Sequence, residues 1–359
     1  MLKAGLIGCG NISGIYLQNQ SVFGSLVKIT CCADLRQEAA EAQAEKYGIR
    51  AVSVEELLAD PEIDIVLNLT TPQSHAEIAL RALEAGKHIY AEKPFALNRE
   101  DGQKILECAR SRNLRTGSAP DTFLGGGHQT CRALVDEGVI GKVHSGMAFM
   151  LCPGHEHWHP APAFYYQKGG GPLFDMGPYY LTALINMLGP VRQLSARSNR
   201  MTDLRQGRGV NQGKTFPVEI DTHISALLEF ECGALITLTT SFDVRMHSNY
   251  RDIELYGTNG SLHTPDPNCF DGEIRFMQSN LTAGWAVAQN RFGYNQNMRS
   301  LGLADMAQAI ETGRAHRASG ELAYHVLDVM CAIVESAADG NAKLVESSCT
   351  RPAPLTGNL

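Results

Sequence analysis

The chain has 359 residues, 44% of them hydrophobic and 19% charged. That balance excludes a disordered chain, and the length suggests two domains. A net charge of −7 excludes a dominant basic face for nucleic acid.

In chain order, residues 2–7 read as a short buried strand, followed by a glycine turn and a helix from about Ser13. Val27 to Ala33 is a second strand, ended by Asp34, and Arg36 to Tyr47 is a helix closed by Gly48. Ile63 to Leu69 is a third strand, Ser74 to Ala85 a helix stopped by Gly86, His88 to Ala91 a strand and Glu100 to Arg112 a helix. Strands that alternate with helices predict βαβ units and a parallel sheet. From about residue 143 the rhythm changes. Val143 to Leu151, Thr222 to Phe230, Ala234 to Phe242 and Arg251 to Tyr256 are strand-length runs, with Glu231-Cys232-Gly233 as a hairpin signal and residues 257–260 as a turn. Leu173 to Leu188 and two stretches between 298 and 338 read as helices, and 199–215 and 265–272 as loops. The expected architecture is α/β: a dinucleotide-binding domain over 1–120, then a domain over 121–359 with α+β character, built on an open, mainly antiparallel sheet.

No run approaches the roughly 18 apolar residues of a membrane span, and the start of the chain lacks a signal-peptide pattern. The ten cysteines form no C-x-x-C pair, and most sit in apolar segments such as Ile29 to Ala33. Free thiols used as small core residues fit a reducing compartment, so a cytoplasmic location is expected.

Gly8-Cys9-Gly10-Asn11-Ile12-Ser13-Gly14 follows a strand and opens a helix, the context that a dinucleotide fingerprint requires. Gly8 permits the tight turn, Gly10 lets the backbone approach a pyrophosphate, and the helix N-terminus offers N–H groups to it. Gly8, Gly10, Asn11 and Ile12 are the expected cofactor contacts of this turn. The third glycine position holds Ser13, one residue before Gly14, so the motif is imperfect. Asp34 suits the adenine ribose hydroxyls and would repel a 2′-phosphate, favouring NAD over NADP. Arg36 is the countersign, because a guanidinium pairs with a 2′-phosphate, and Asp34 suits a helix N-cap equally well.

Three further motifs occur in order: Thr70-Thr71-Pro72-Gln73-Ser74-His75 after the third strand, Ala91-Glu92-Lys93-Pro94-Phe95-Ala96 after a later strand, and Gly169 to Tyr179 with Asp175 and Tyr179. With the glycine turn and the stretch from Gly313 to Ser319, the chain resembles the glucose–fructose oxidoreductase / inositol dehydrogenase / rhizopine-catabolism (Gfo/Idh/MocA) family over essentially its whole length. The resemblance implies a Rossmann domain, an NAD(P)-dependent reaction at a CH–OH group, and an open sheet that often mediates dimers or tetramers. It implies cofactor contacts from Thr70, Thr71, Pro72, His75, Glu92 and Lys93, and a catalytic set of Lys93, Asp175 and Tyr179 that also binds substrate; Glu92 suits pairing with a local cation as well, and His75, at the start of a helix, suits a structural role. Lys93 would touch the substrate hydroxyl and stabilise an alkoxide. Asp175 would orient Lys93 or a hydroxyl, and Tyr179 would act as acid and base where many members carry histidine. Tyr180 is adjacent and competes for that role. The Lys93–Pro94 bond is a candidate for the cis form.

His155-Glu156-His157-Trp158-His159-Pro160 places three histidines at alternate positions. Alternation is the spacing of a metal site on a strand, but Pro153 and Pro160 argue for a loop, and nicotinamide chemistry requires no metal. The preferred reading is a substrate loop with no metal, in which Trp158 stacks on a sugar ring and His159 hydrogen-bonds hydroxyls. Asp121 and Phe123 are expected to face the cleft as substrate contacts. Arg314, His316 and Arg317 suit either an anionic substrate group or a helix C-terminus.

The expected function is hydride transfer from a secondary hydroxyl of a sugar, glycoside or cyclic polyol to NAD. The alternative is an NAD-dependent glycoside hydrolase without net redox change, through oxidation, elimination, water addition and re-reduction. A nucleotide-binding regulator is the third reading, and an intact acid/base set argues against it. The expected partners are a small carbohydrate and further copies of the chain, as a homodimer or homotetramer, with neither nucleic acid nor membrane.

Overall fold

The computed structural model describes residues 1–246, 248–279 and 284–359. The described chain divides into two compact units, the first holding Met1–Gly125, Gly293–Leu327 and Leu355–Leu359, the second Gly126–Phe292 and Asp328–Pro354.

The first unit opens with β1 (Leu2–Ile7), α1 (Ser13–Gln18), α2 (Gln20–Phe23), β2 (Val27–Ala33), α3 (Gln37–Tyr47), β3 (Arg50–Ala51), α4 (Val54–Ala59) and β4 (Ile65–Asn68). It continues through α5 (His75–Glu84), β5 (His88–Ala91), α6 (Arg99–Ser111) and β6 (Thr116–Ser118). The six strands lie in the order β3-β2-β1-β4-β5-β6, and every pair is parallel. Strands covered on both faces need apolar residues at consecutive positions: Ile65, Val66 and Leu67 are all fully buried. Local chemistry sets the helix ends. Ser53 and Glu56 form a capping box on α4, Asn98 caps α6 through Asp101 N at 2.8 Å, and Gly48 closes α3 in the left-handed conformation.

The second unit begins with α7 (Gly126–Asp136), β7 (Val143–Leu151), α8 (Gly171–Leu188), β8 (Val191–Asn199), β9 (Leu204–Gln206) and β10 (Thr215–Pro217). Then come β11 (His223–Phe230), β12 (Leu235–Ser241), β13 (Asp252–Gly257), β14 (Gly260–His263), β15 (Ile274–Gln278) and β16 (Ala286–Ala288). The expected loop over 199–215 instead carries β9, which pairs antiparallel with β10. The hairpin at Glu231-Cys232-Gly233 joins β11 and β12 as its residues predict, closed by Gly233 N to Phe230 O at 2.8 Å.

Two long helices follow, α9 (Leu301–Thr312) and α10 (Gly320–Asp339), then β17 (Lys343–Leu344). The main sheet of the second unit has the order β16-β15-β14-β13-β7-β12-β11-β8-β17. Its pairs are antiparallel except β7 with β12, so the sheet is mixed and mostly antiparallel, as expected. Residues alternate between its faces. Ile224, Ala226, Leu228, Ile236, Leu238 and Ala148 are buried on one face, and α8 packs against β7, β11 and β12. On the other face Leu227, Thr237 and Met147 stand in one row across β11, β12 and β7. Leu227 and Met147 are exposed there, with Leu235 beside them.

The expected division at residue 120 is corrected in one respect: α9 and the start of α10 pack with the first unit. Long-range hydrogen bonds are the reason. Asn19 Nδ2 donates to the carbonyls of Asn297 at 2.9 Å and Arg299 at 2.6 Å, and His316 Nε2 lies 2.8 Å from Thr116 O. Arg314 and Arg317 also belong to the first unit. Both pair with the buried carboxylate of Asp305, Arg314 at 2.7 Å, and Arg317 N donates to it at 2.7 Å.

Candidate active site

The carboxyl ends of β1, β2, β4 and β5 present the motifs of the first unit along one edge of its sheet. β1 and β4 are neighbours from which the strand order runs outward both ways, the position where ligands meet open parallel sheets. Gly8 leaves β1 with φ +103°, and a Cβ there would lie 2.6 Å from the backbone of Leu69, so only glycine fits. A Cβ on Gly10 would meet nothing within 4 Å, which leaves the open approach that a pyrophosphate needs. Asn11 is exposed and Ile12 half-buried in the same turn. Ser13 takes the third glycine position without strain, buried with its Oγ donating to Gly10 O at 2.7 Å. α1 has no side-chain cap and no acidic residue in its first turn, which suits an anion at its N-terminus. These residues fit a dinucleotide.

Asp34 ties this turn to the end of β2. Its Oδ2 accepts from Cys9 N and its Oδ1 from Arg36 N, both at 2.8 Å. The N-cap of α3 is Arg36, with no side-chain cap bond, so Asp34 is not the cap. Each carboxylate oxygen accepts more than one bond, so ribose hydroxyls can share it. The Arg36 side chain is 76% exposed, its Nε 3.9 Å from Asp34 Oδ1.

In the second motif the structure supplies a residue that the sequence reading missed. Asn68, fully buried at the end of β4, accepts from Thr70 N at 3.2 Å and Thr70 Oγ1 at 2.7 Å, and donates to His75 O at 3.1 Å. Thr71 is exposed and Pro72 half-buried beyond it. His75 is corrected from cofactor contact to internal brace. It is buried, with Nδ1 2.7 Å from Pro94 O and Nε2 3.0 Å from Thr70 O. Burial lowers its pKa. Both neighbours are carbonyl acceptors and the neutral ring donates from one nitrogen only, so the tautomer decides which of the two it bonds. His75 therefore packs between the Thr70 turn and the turn after β5.

That second turn holds Glu92 and Lys93, and the Lys93–Pro94 bond is cis. Glu92 is buried, accepting from Tyr16 Oη at 2.8 Å and from Lys93 N at 3.0 Å. Its carboxylate thus orders the turn that carries Lys93. Asp121 and Phe123 are each 1% exposed, which corrects their expected place at an open cleft. Asp121 Oδ2 accepts from Gly302 N at 2.9 Å, anchoring the start of α9. Burial pushes the Asp121 carboxyl from its ordinary 3.8 up to about 6.

This sets a pH dependence. The folded state holds the Asp121 proton more tightly than the unfolded chain, so the stability it contributes is present at acid pH and lost as pH rises from about 4 through about 6. A rise of that size is worth on the order of 3 kcal/mol. Asp121→Asn keeps an acceptor for Gly302 N and cannot ionise. Thermal unfolding at pH 4.5 and 7.5 should show the variant gaining more stability over the native chain at the higher pH. An equal difference at both values would show that Asp121 ionises in the fold without cost.

In the second unit, Asp175 and Tyr179 lie one turn apart on α8, on one face as their spacing predicts. Tyr180 points elsewhere: it is buried, and its hydroxyl donates to Phe149 O at 3.2 Å. His155 Nε2 lies 3.2 Å from Asp175 Oδ2. The His155 ring packs on Tyr165 (centroids 4.3 Å apart) and edge-on to Phe242 (4.7 Å), with Trp158 at 5.4 Å. His159 packs edge-on against Trp158, Phe164 and Tyr165, and burial lowers its pKa. Trp158 is half exposed. Segment 153–166 is thus a loop of packed rings, as its prolines predict, and not a strand. Among the described residues no group of three or more His, Cys, Asp or Glu side chains is placed to hold a metal ion.

This loop is anchored from beneath by Glu156, which is fully buried and accepts from Tyr166 Oη. Its Oε1 lies 3.6 Å from Arg205 Nε, 3.8 Å from Arg245 Nη1 and 3.9 Å from Arg208 Nη2. Arg205 is itself fully buried, 3.5 Å from Asp243 Oδ1 and stacked 5.0 Å over the Tyr166 ring.

Comparison with known proteins places this geometry in a family. Residues 2–119 match the GFO/IDH/MocA family described as "Oxidoreductase family, NAD-binding Rossmann fold", and residues 128–263 match the GFO/IDH/MocA C-terminal domain. The 1,5-anhydro-D-fructose reductase of Ensifer adhaerens is 25% identical over 358 residues, covering 97% of this chain and 99% of that one. The myo-inositol 2-dehydrogenase of Thermotoga maritima is 24% identical over 264 residues, 73% of this chain and 74% of that one. In fold the chain is similar to a levoglucosan dehydrogenase solved with NADH and L-sorbose, with a TM-score of 0.81 at 22% identity over 97% of this chain and 99% of that one.

Proposed function

The chain belongs to the GFO/IDH/MocA family of NAD-binding oxidoreductases, and we propose that it transfers a hydride between NAD and a secondary hydroxyl of a sugar, glycoside or cyclic polyol. One observation carries the substrate reading: Asp175 and Tyr179 share a face of α8 beside a loop of packed aromatic rings. Bound NAD supplies the hydride acceptor. Asp34 takes the ribose hydroxyls and, through its charge, selects against a 2′-phosphate. Lys93 stabilises the alkoxide that develops on the reacting oxygen. Tyr179 takes or returns the hydroxyl proton, a choice supported by the engagement of Tyr180 with a backbone carbonyl. Asp175 orients the hydroxyl, and Trp158 and His159 face the sugar ring. The relatives named above act on a cyclic sugar derivative and on an inositol by their names, which supports this class.

Two further parts of the reading concern assembly and location. The row of Leu227, Thr237 and Met147, with Leu235 beside it, supports self-association through the open sheet face as a homodimer or homotetramer. None of the ten cysteines is in a disulfide, which supports a reducing, cytoplasmic setting. Among the described residues no helix is long and apolar enough to cross a membrane.

The test is a single reaction: purified protein, limiting NAD and a panel of hexoses, glycosides and inositols, with nicotinamide reduction and sugar release followed together. Reduction in step with substrate consumption is the expected result. Many glycosidic bonds cleaved per NAD with no lasting reduction would overturn it in favour of a redox-neutral hydrolase.

A further inference from the structure

Asp175 is the acidic residue of the α8 face, and a carboxylate serves a reacting hydroxyl only if its lone pairs are aimed. α8 carries no histidine. The imidazole nearest Asp175 arrives from elsewhere in the chain, from His155, twenty residues earlier, on the loop after β7.

The two side chains are 14% and 17% exposed, so their hydrogen bond lies at the edge of the protein rather than in its core. A carboxylate accepts and cannot donate, so at 3.2 Å the N–H must be on Nε2. The ring is not placed by this bond alone. Tyr165, Phe242 and Trp158 surround it. Its backbone N donates to Tyr166 Oη at 3.3 Å, and its carbonyl accepts from His159 N at 3.0 Å. The next residue, Glu156, is pinned: Asn211 Nδ2 donates to its carbonyl at 3.2 Å, and its side chain sits among Arg205, Arg208 and Arg245. A buried ionic knot directly follows the histidine in sequence, so the imidazole is held before any ligand arrives.

We propose that His155 is a positioning residue of the reaction: its Nε2–H aims the Asp175 carboxylate, and the packed 153–166 loop exists to hold that imidazole. The proposal rests on the reading of Asp175 as part of the catalytic set. It adds a residue from outside the α8 motif and gives the ring cluster a role besides touching sugar. His155, not only Trp158 and His159, is the working histidine of the alternating triplet.

Two measurements test it. The first needs no substrate. In protein labelled with ¹⁵N-histidine, the ring N–H of His155 should persist in the NMR spectrum, assigned by its loss in His155→Phe, and it should vanish in Asp175→Ala. A ring N–H that is absent from the native protein, or that survives Asp175→Ala, overturns the hydrogen bond and the proposal with it. The second uses the sugar or inositol that turns over fastest in the panel above. His155→Phe keeps the ring packing and removes the donor. It should lower kcat about 10- to 100-fold with KM changed less than about threefold. His155→Gln restores an N–H at the position of Nε2 and should recover to within about fivefold of the native rate. Equal impairment of both variants, or native kcat in His155→Phe, would reduce His155 to packing. Absence of turnover with every compound would count against the proposed function, while the NMR result would still decide whether His155 aims Asp175.

Discussion

Lys93→Ala is expected to lower kcat by about 10²- to 10³-fold or more, the range for removing a group that stabilises developing negative charge, while NADH affinity stays within about threefold. The reasoning starts from the turn. β5 ends at Ala91, and Glu92 is immobilised by Tyr16 and by the Lys93 backbone N–H. His75 holds Pro94 from the other side. The Glu92 contacts and the His75–Pro94 contact hold the backbone on both sides of Lys93, so a truncation at Lys93 removes the charge and keeps those contacts. The proposed binding surface for the dinucleotide lies at Gly8, Gly10 and Asp34, at the ends of other strands. Lys93→Arg is informative beside it. A guanidinium is larger and its charge is spread over a fork, so it should not restore the rate. Stopped-flow reduction of NAD and fluorescence titration with NADH separate the two effects. Unchanged turnover in Lys93→Ala removes the lysine from the chemistry. An equal loss of turnover and NADH affinity reassigns it to the cofactor.

The parallel half of the molecule was legible because its signals are local. Alternating strands and helices, glycine stops and a glycine turn directly after β1 each act over a few residues, and the strand order follows from βαβ connections. The unread parts depend on distance or burial. α7 begins inside the run Gly125-Gly126-Gly127, whose residues carry no helix-start signal. A Cβ on Gly127 would come within 3.1 Å of Asp271 Cα and Pro265 Cγ, so this helix start is packed tightly against a segment far away in sequence. α9 joins the first unit through side-chain bonds to backbone carbonyls, which leave no periodic trace in the sequence. His75 and Asp121 have the chemistry of site residues, but both are spent on backbone groups inside the fold. Residue type alone cannot separate those roles; exposure and partners do. The reverse holds for His155, whose partner Asp175 lies on another element and so left no motif to read.

Glu156 gives the largest expected effect on stability. In Glu156→Ala the loss should be about 3–5 kcal/mol, the cost of leaving a buried charge without its partner. Arg205 is fully buried, and its remaining contacts are the carbonyl of Phe242, the Tyr166 ring and Asp243 at 3.5 Å. One carboxylate cannot be shared as readily among Arg205, Arg208 and Arg245, and Arg208 and Arg245 are exposed enough to turn to water, whereas Arg205 is not. Glu156→Gln keeps an oxygen for Tyr166 Oη and loses only the charge, so it should fall between Ala and the native chain. The double change Glu156→Leu with Arg205→Met removes both charges and fills the space with apolar atoms. It should regain most of the loss, because an apolar core at such a site is often as stable as the ion pair it replaces. Denaturant midpoints of the four proteins measure this. A loss below about 1 kcal/mol in Glu156→Ala, in the range of exposed pairs, would mean that water enters and solvates Arg205. The same series reads out function, because the loop that the knot anchors carries the imidazole beside Asp175. If the double variant regains stability but not kcat, the ionic knot is retained for the placement of His155 and not for the strength of the fold.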